Sequence, residues 1–354
     1  MKIVVLAGGI STERDVSLSS GAMIYKALKE RGHQAILLDV YLGYEWEENS
    51  FTQVSEKRCS KGVFGLKKDW AKEMGKIEEK NPDIEKIKAL RPDGAKNFFG
   101  PNVISICQAA DVVFMALHGE NGENGKIQAC FDLMGITYTG TNYLSSAISM
   151  NKGISKELFA ANGIPTPWGF RLKKGEKGIE KAVFPCVVKA CSGGSSVGVA
   201  IAFSEKDYEA ALAEAFTYDD EVIVEQYISG REFSVGVVDG EALPVIEIAP
   251  PAGFYDYKNK YQPGATVETC PACIPEEKSA ELQRCAEKVF SVLRLESYAR
   301  MDFRMSEEGE IFCLEANTLP GMTPVSLLPQ EAAAVGMDFA DLCEKILESA
   351  LHKG

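Results

Sequence analysis

The chain has 354 residues, 45% hydrophobic and 25% charged, which is ordinary for a folded protein and long enough for two or three domains. It carries 38 Lys and Arg against 51 Asp and Glu, and this net charge of −13 argues against nucleic acid or an anionic membrane as a partner. The apolar run from Ile3 to Ala7 is too short for a signal peptide, and no stretch approaches the roughly 20 apolar residues of a membrane helix. We therefore expect a cytoplasmic protein with reduced cysteines.

The N-terminal segment has the pattern of a βαβ unit. Lys2–Ala7 is typical of a buried strand, an amphipathic helix is predicted over Val16–Arg31, and Ala35–Val40 is typical of a second strand. Ligands of such sheets gather at the carboxyl ends of the strands, and Glu13 lies there.

A polar, Lys/Glu-rich segment from about Leu42 to Ser105 indicates a solvated, partly helical insertion. Ala110–Leu117 is typical of another buried strand, and a glycine-rich loop begins at His118. Glycines at a strand's carboxyl end suit a loop that brings backbone close to a ligand, although a flexible surface turn explains the same composition.

A candidate phosphate loop follows in the middle of the chain. A helix is predicted through Ser149–Lys152 and on to Ala161, and Phe184–Lys189 is typical of a strand that ends in a lysine. The next segment, Ser192–Val199, is rich in Gly and Ser, and its backbone N–H groups together with Lys189 suit phosphate oxygens. We favour this interpretation over a plain polar hairpin loop because the lysine and the loop occur together.

Further elements are predicted from the same periodicities. The sequence predicts strands at Glu221–Gln226 and Arg231–Val238 and helices at Asp207–Phe216, Glu276–Leu293 and about Asp338–Leu351. The tyrosines and lysines between Pro250 and Tyr261 suggest a lid that excludes water, with an aromatic surface loop as a nearly equal alternative.

The residues from Arg300 to Asn317 predict a hairpin with a turn at Ser306–Gly309. Alternation places Arg300 and Asp302 on one face of the first strand, and Glu315 and Asn317 on one face of the second. Carboxylate and amide oxygens suit Mg²⁺, which usually keeps waters and bridges to substrate phosphates. Spacing alone leaves an ordinary amphipathic hairpin as an equal alternative.

Several motifs, in this order, resemble the ATP-grasp superfamily and within it the D-alanine–D-alanine ligases. The motifs are Glu13–Leu18, the His118 loop, Gly194–Gly198, Phe254–Tyr257 with Lys260 and Tyr261, and Glu315–Thr318 with Pro320–Thr323. The similarity covers nearly the whole chain apart from roughly residues 42–105. It implies an α/β and α+β, three-domain ATP-grasp architecture: an N-terminal βαβ-containing domain (1–140), a central domain (141–227) and a C-terminal domain with the metal site (228–354).

The resemblance implies ATP-dependent ligation of two D-alanine molecules through an acyl phosphate, for peptidoglycan precursor synthesis, by a homodimer that uses two Mg²⁺ or Mn²⁺ ions. The residues implied to bind ATP are Lys152, Lys189, Glu225, Gln226, Tyr227, Ile228, Glu232 and Lys260, and the implied metal ligands are Asp302, Glu315 and Asn317. The implied catalytic residues are Glu13, Ser195, Tyr261 and Arg300, and D-alanine would contact Glu13, His118, Gly321, Ser326 and Leu327.

Departures from the family pattern are small. Asn151 stands where Asp usually precedes the lysine, Asn124 stands where Asp is common, and Ala190–Ser192 replaces a more usual Pro- and Arg-containing stretch. None removes a named catalytic group. The alternatives are a ligase that takes D-serine or D-lactate as second substrate, and a non-catalytic nucleotide-binding regulator; Tyr261 and the lid segment favour an amine acceptor over D-lactate.

Overall fold

A computed structural model describes residues 1–45, 62–65, 71, 82–91, 94, 96–194, 198–249, 267–323 and 325–352. The chain forms two compact units, residues 1–143 with 319–354, and residues 144–318. The domain boundaries expected from the resemblance stay a prediction. No described helix combines the length and the apolar character that a bilayer crossing requires.

The first unit is built on a parallel sheet of β1 (Lys2–Ala7), β2 (Gln34–Asp39) and β3 (Val112–Met115), in the order β2-β1-β3. Its strands are almost wholly buried, as parallel strands covered on both faces are. The α-helices described in this unit are α1 (Arg14–Glu30), α2 (Ile84–Ala89), α3 (Val103–Ala109), α4 (Glu120–Glu123) and α5 (Lys126–Met134), followed near the C-terminus by α10 (Leu327–Ala334) and α11 (Phe339–Leu351). The predicted βαβ unit is confirmed.

The second unit contains two antiparallel sheets. The smaller sheet has the order β4-β7-β5-β6, with β4 at Gly169–Lys173, β5 at Cys186–Ala190, β6 at Val199–Ala202 and β7 at Glu221–Gln226. The larger sheet runs β11-β10-β8-β12-β13, with β9 paired to β8. Its strands are β8 (Arg231–Val238), β9 (Glu241–Ala242), β10 (Ile246–Ala249), β11 (Val267–Thr269), β12 (Tyr298–Met305) and β13 (Ile311–Asn317).

Among the described residues, four α-helices accompany these sheets: α6 (Tyr143–Met150), α7 (Lys152–Ala161), α8 (Glu205–Ala215) and α9 (Glu276–Val292). The buried face of α9, including Leu282 and Val289, packs with Phe233 and Phe303 of the larger sheet. The helix predicted to continue through residue 152 is instead broken at Asn151, which has extended backbone and caps α7 by accepting a hydrogen bond from the N–H of Ile154 at 3.0 Å.

Candidate active site

The hairpin of β12 and β13 brings the predicted metal-binding residues together. Arg300 lies opposite Asn317, and Asp302 lies opposite Glu315, so all four side chains occupy one face of the sheet. The predicted turn is confirmed: the N–H of Gly309 donates to the carbonyl of Ser306 at 3.0 Å.

A β-bulge at Leu314 makes this arrangement compatible with the core. The register shifts between Asp302 and Phe303, so Phe303 pairs with Cys313 and Leu314 has no residue opposite. The odd-numbered residues Glu315 and Asn317 consequently lie on the polar face, whereas the odd-numbered Cys313 is completely buried in the core. One extra residue thus reverses which face alternate side chains occupy.

Asp302 is the centre of the polar face. Its carboxylate accepts from Nε and Nη2 of Arg300 at 2.9 and 2.8 Å, from Oγ of Ser234 at 2.9 Å and from Nδ2 of Asn317 at 3.0 Å. These contacts fix the orientation of both oxygens in a residue that is only 7% exposed. A carboxylate restrained in this way and flanked by a guanidinium suits a site that binds charged ligands.

The donor set fits a hard cation. Asp302, Glu315 and Asn317 supply two carboxylates and one amide oxygen, the ligand types that Mg²⁺ and Mn²⁺ take together with water and phosphate oxygens. Among the described residues there is no group of three or more His, Cys, Asp and Glu placed to hold a metal by themselves.

Lys152 links this hairpin to the glycine-rich segment. Its ammonium lies 3.1 Å from Oε2 of Glu315 and donates to the carbonyl of Gly193 at 2.7 Å. Its backbone N–H donates to the carbonyl of Cys191 at 2.8 Å. The residue that opens α7 is thus held between the predicted metal ligands and the predicted phosphate loop.

A second cluster of charges lies on the smaller sheet. Glu225 is opposite Val187, two residues before Lys189 on the neighbouring strand, so Glu225 and Lys189 are diagonal neighbours on one face. Nζ of Lys189 is 2.7 Å from Oε2 of Glu225, and Nζ of Lys156 is 2.8 Å from Oε1. Burial raises the pKa of Glu225, but the two ammonium groups outweigh burial and hold that pKa below its ordinary value.

The residues predicted to meet adenine form the exit of β7. The N–H of Gln226 donates to the carbonyl of Trp168 at 2.8 Å, Tyr227 is half-buried, and Ile228 is buried. Glu232 lies on β8, where its carboxylate is 3.6 Å from Nε of Arg304.

In the first unit, Glu13 and the His118 loop lie together. Glu13 is buried at the start of α1, and a side chain in place of the hydrogen of Gly119 would come within 2.4 Å of Oε2 of Glu13. Gly119 has a φ of +70°, a second reason why only glycine suits this position. The predicted loop contains a short helix, α4, whose Glu123 accepts from the N–H of Gly119 at 2.9 Å.

Both ring nitrogens of His118 contact groups of the same unit. Its Nδ1 is 2.8 Å from the carbonyl of Leu319, and its Nε2 is 3.0 Å from Oγ of Ser20. Because a carbonyl can only accept, Nδ1 carries the proton and the Ser20 hydroxyl can donate to Nε2. Oγ of Ser20 also accepts from the N–H of Met322 at 3.3 Å. The imidazole thereby orients the 319–322 backbone on both sides of Gly321.

The remaining predicted substrate residues lie in the same segment. Oγ of Ser326 accepts from the N–H of Thr323 at 3.1 Å and lies 2.8 Å from its hydroxyl, while Leu327 begins α10 and is buried. A methyl group on Gly321 would lie 2.9 Å from Oγ of Ser326. Backbone N–H groups and hydroxyls, not charges, dominate this part of the chain.

Ser195, Lys260 and Tyr261, together with the predicted lid, lie outside the described residues. Four described residues were missed by sequence reasoning: Ser20, Glu123, Lys156 and Thr166. The spacing of Lys152 and Lys156, four residues apart on one helix, could have indicated that both face the same way. Ser20 contacts His118, Thr166 contacts Cys313, and Glu123 accepts from the N–H of Leu319 at 3.0 Å, and these partners are too distant in the chain to leave a local pattern.

Comparison with known families and relatives agrees with this geometry. Residues 2–141 match the family model of the D-ala D-ala ligase N-terminus, and residues 166–348 match that of the D-ala D-ala ligase C-terminus. A D-alanine–D-alanine ligase from Lacticaseibacillus casei is 46% identical over 99% of this chain and 96% of its own length. Because both ends and the middle of the chain are matched, the similarity is not confined to a nucleotide-binding module.

Two solved structures have the same fold. The D-alanine–D-alanine ligase of Bacillus anthracis complexed with ATP is 29% identical, with a TM-score of 0.72 and coverage of 99% of this chain and 97% of that one. A D-Ala:D-Ser ligase of Enterococcus faecalis is 27% identical, with a TM-score of 0.73 and 99% coverage of both chains. The predicted ATP-grasp fold class is confirmed, and the chain belongs to the D-alanine–D-alanine ligase family.

Proposed function

We propose that this protein joins two D-alanine molecules in a reaction driven by ATP, giving D-alanyl-D-alanine, ADP and phosphate. The observation that carries the proposal is the contact of Lys152 with Glu315, beside Asp302 and Asn317 on one sheet face. Cations for phosphate thereby stand next to oxygen donors for a divalent metal, as phosphoryl transfer requires.

ATP binds between the two antiparallel sheets of the second unit. Lys152 and Lys189 contact its phosphates, the exit of β7 from Glu225 to Ile228 contacts adenine, and Glu232 contacts the ribose. Both lysines are paired with carboxylates here, at 3.1 and 2.7 Å, so phosphate binding exchanges one anionic partner for another. Such an exchange avoids leaving an ammonium buried without a counter-ion.

Asp302, Glu315 and Asn317 would hold two Mg²⁺ or Mn²⁺ ions. When bound, these ions neutralise charge on the phosphate oxygens. The protein contributes orientation: Arg300, Ser234 and Asn317 restrain the Asp302 carboxylate, and Lys152 restrains Glu315.

The chemistry overcomes the poor electrophilicity of a carboxylate. The first D-alanine carboxylate attacks the γ-phosphorus of ATP, which breaks the bond to ADP and forms an acyl phosphate. The neutral amine of the second D-alanine attacks the acyl carbon, and phosphate leaves as the tetrahedral intermediate collapses. Arg300 stabilises the oxyanion of that intermediate.

The remaining groups bind the amino acids. Glu13 binds the ammonium of the first D-alanine, while Ser326 and Leu327 contact the second. From the resemblance alone, Ser195 and Tyr261 take part in catalysis, Lys260 contacts ATP and His118 contacts D-alanine. We propose that the product serves peptidoglycan precursor synthesis in the cytoplasm, with the enzyme acting as a homodimer.

The test is phosphate release from Mg·ATP with D-alanine as the only amino acid, beside an L-alanine control. We expect phosphate and dipeptide in equal amounts with D-alanine and neither with L-alanine. ATP binding without phosphate release would overturn homodipeptide synthesis. D-Serine and D-lactate, each added with D-alanine, would then decide whether a mixed product forms.

A further inference from the structure

A buried lysine in the second unit is outside the set that the resemblance assigns. Lys156 lies one helical turn after Lys152 on α7 and is only 5% exposed. Its Nζ contacts Oε1 of Glu225 at 2.8 Å and donates to Oγ1 of Thr166 at 2.8 Å. Burial lowers the pKa of Lys156, partly offset by the Glu225 carboxylate. Burying a lysine costs free energy unless its charge is paired and hydrogen-bonded.

Thr166, which contacts β13, also fixes the position of Lys156. The hydroxyl of Thr166 donates to the carbonyl of Cys313 on β13 at 2.8 Å, which leaves its oxygen to accept from Lys156. The N–H of Cys313 donates in turn to the carbonyl of Pro165 at 2.8 Å. Lys156 is therefore held between the larger sheet, through Thr166, and the smaller sheet, through Glu225.

Glu225 has two cationic partners, and the proposed function gives one of them another task. Lys189 pairs with Oε2 of Glu225 in this structure, yet it is the lysine expected on the nucleotide phosphates. If Lys189 turns to a phosphate, a carboxylate that is 2% exposed loses one counter-ion. Lys156 contacts the other oxygen and has no need to move.

We infer that Lys156 is a positioning residue for nucleotide binding, which holds the Glu225 carboxylate in place while Lys189 transfers from that carboxylate to the phosphates of ATP. The inference rests on the proposed function, because it takes Lys189 as a phosphate ligand. Lys156 acts through Glu225 and does not touch the reacting atoms. It decides how tightly ATP binds, not how fast bound substrates react.

The experiment compares Lys156→Met with wild type by calorimetric binding of ATP and by steady-state kinetics, with a thermal melt of each protein. Lys206→Met removes an exposed lysine of the same unit and is the matched control. We expect Lys156→Met to weaken ATP binding by roughly tenfold or more. The KM for D-alanine and the kcat at saturating ATP should change less than about twofold, because only ground-state nucleotide binding is affected.

A double-mutant cycle separates positioning from packing. If Lys156 acts through Glu225, then adding Lys156→Met to Glu225→Gln should weaken ATP binding much less than the same change does in wild type. Thr166→Val, which removes the hydroxyl that orients the lysine, keeps the test available should Lys156→Met not fold. It is expected to weaken ATP binding about two- to fivefold.

The outcomes are distinct from those of the proposed function. Additive effects in the cycle, or wild-type ATP affinity in folded Lys156→Met, would overturn the role of Lys156 even if the enzyme ligates D-alanine. If Lys156→Met does not fold and only Thr166→Val can be tested, unchanged ATP affinity in Thr166→Val would overturn the role of Lys156. Coupled loss of ATP binding supports it even if wild type forms no dipeptide, whereas a wild type that does not bind ATP overturns both.

Discussion

At the scale of single residues, the site consists of charges that already have partners before any ligand binds. The Asp302 carboxylate is occupied by Arg300, Ser234 and Asn317, and Glu315 is paired with Lys152. Since unpaired buried charges are costly, these pairs keep the ligand-free protein stable while retaining the charges that phosphoryl transfer needs.

Glu315→Gln tests the metal assignment. Replacing one carboxylate oxygen by an amide nitrogen removes a charge that would face the ions, so we expect a loss of kcat of roughly 100-fold, with a higher Mg²⁺ requirement. Phosphate release at a series of Mg²⁺ concentrations measures both. Glu308→Gln, on the exposed turn of the same hairpin, is the control. Near-normal turnover in folded Glu315→Gln would contradict the assignment of Glu315 as a metal ligand.

Tyr208 gives a prediction about stability away from the site. Its ring is completely buried, its hydroxyl donates to the carbonyl of Lys177 at 2.7 Å, and burial raises its pKa to about 12. Tyr208→Phe should cost about 1 kcal/mol in the free energy of unfolding at pH 7 and leave ATP binding unchanged. Urea unfolding measures the cost, and a variant as stable as wild type would contradict it.

The same residue predicts a dependence on pH. The folded state disfavours tyrosinate, so the stabilisation from Tyr208 is complete below its unfolded pKa, roughly 10, and is lost as pH rises toward about 12. The difference in melting temperature between wild type and Tyr208→Phe should therefore shrink between pH 9 and 11. A difference in melting temperature that is constant over that range would argue against a raised pKa of Tyr208 in the folded protein.

At the scale of elements, two local interruptions place the site. Asn151 ends α6 and caps α7, so that Lys152 stands at the beginning of a helix. Leu314 interrupts the pairing of β12 with β13, so that Cys313 lies in the core while Glu315 and Asn317 lie on the polar face. In each case one residue outside regular structure decides where charged side chains lie.

The cap predicts a graded effect. Asn151→Ala removes the acceptor for the N–H of Ile154 and should cost about 1 kcal/mol, with a higher KM for ATP because Lys152 begins the same turn. Asn151→Asp, which retains a capping oxygen, should behave like wild type. Melting temperatures and ATP kinetics of the three proteins measure this, and equal values for Ala and Asp would contradict it.

The bulge predicts that deletion of its extra residue is tolerated. Deleting Leu314 makes Cys313 and Glu315 neighbours, so regular alternation alone keeps Cys313 in the core and Glu315 and Asn317 on the polar face. We therefore expect the deletion variant to fold and to retain ligation. Leu314→Ala keeps the residue count and the bulge, and it is the matched control. Loss of ligation in the deletion variant but not in Leu314→Ala would contradict this interpretation of the register.

At the scale of the whole molecule, ATP should stabilise the fold. A ligand that binds only the native state at about 100 times its Kd adds about 2.7 kcal/mol. Mg·ATP should therefore raise the melting temperature, and hydrogen exchange should slow in β5, β7 and the β12–β13 hairpin. Mg·GTP at the same concentration is the control. An equal shift with both nucleotides would contradict recognition of adenine at the exit of β7.

The sequence by itself determined the elements that its periodicity marks, together with the chemistry of the hairpin. Strands β7 and β8 begin and end where the sequence predicts. Arg300 shares a face of β12 with Asp302, and Glu315 shares a face of β13 with Asn317, as expected. These features depend on neighbours two to four residues apart, which a pattern records.

Only the tertiary structure decided which distant residues meet. Lys156, Thr166 and Glu225 lie on separate segments and come together because α7 packs beside both sheets, and the two ring nitrogens of His118 find partners in α1 and in the segment after β13. The bulge at Leu314 likewise follows from the need to bury Cys313 while Glu315 stays on the polar face. Burial and the pairing of buried charges select these contacts over the whole fold, so no short stretch of sequence contains them.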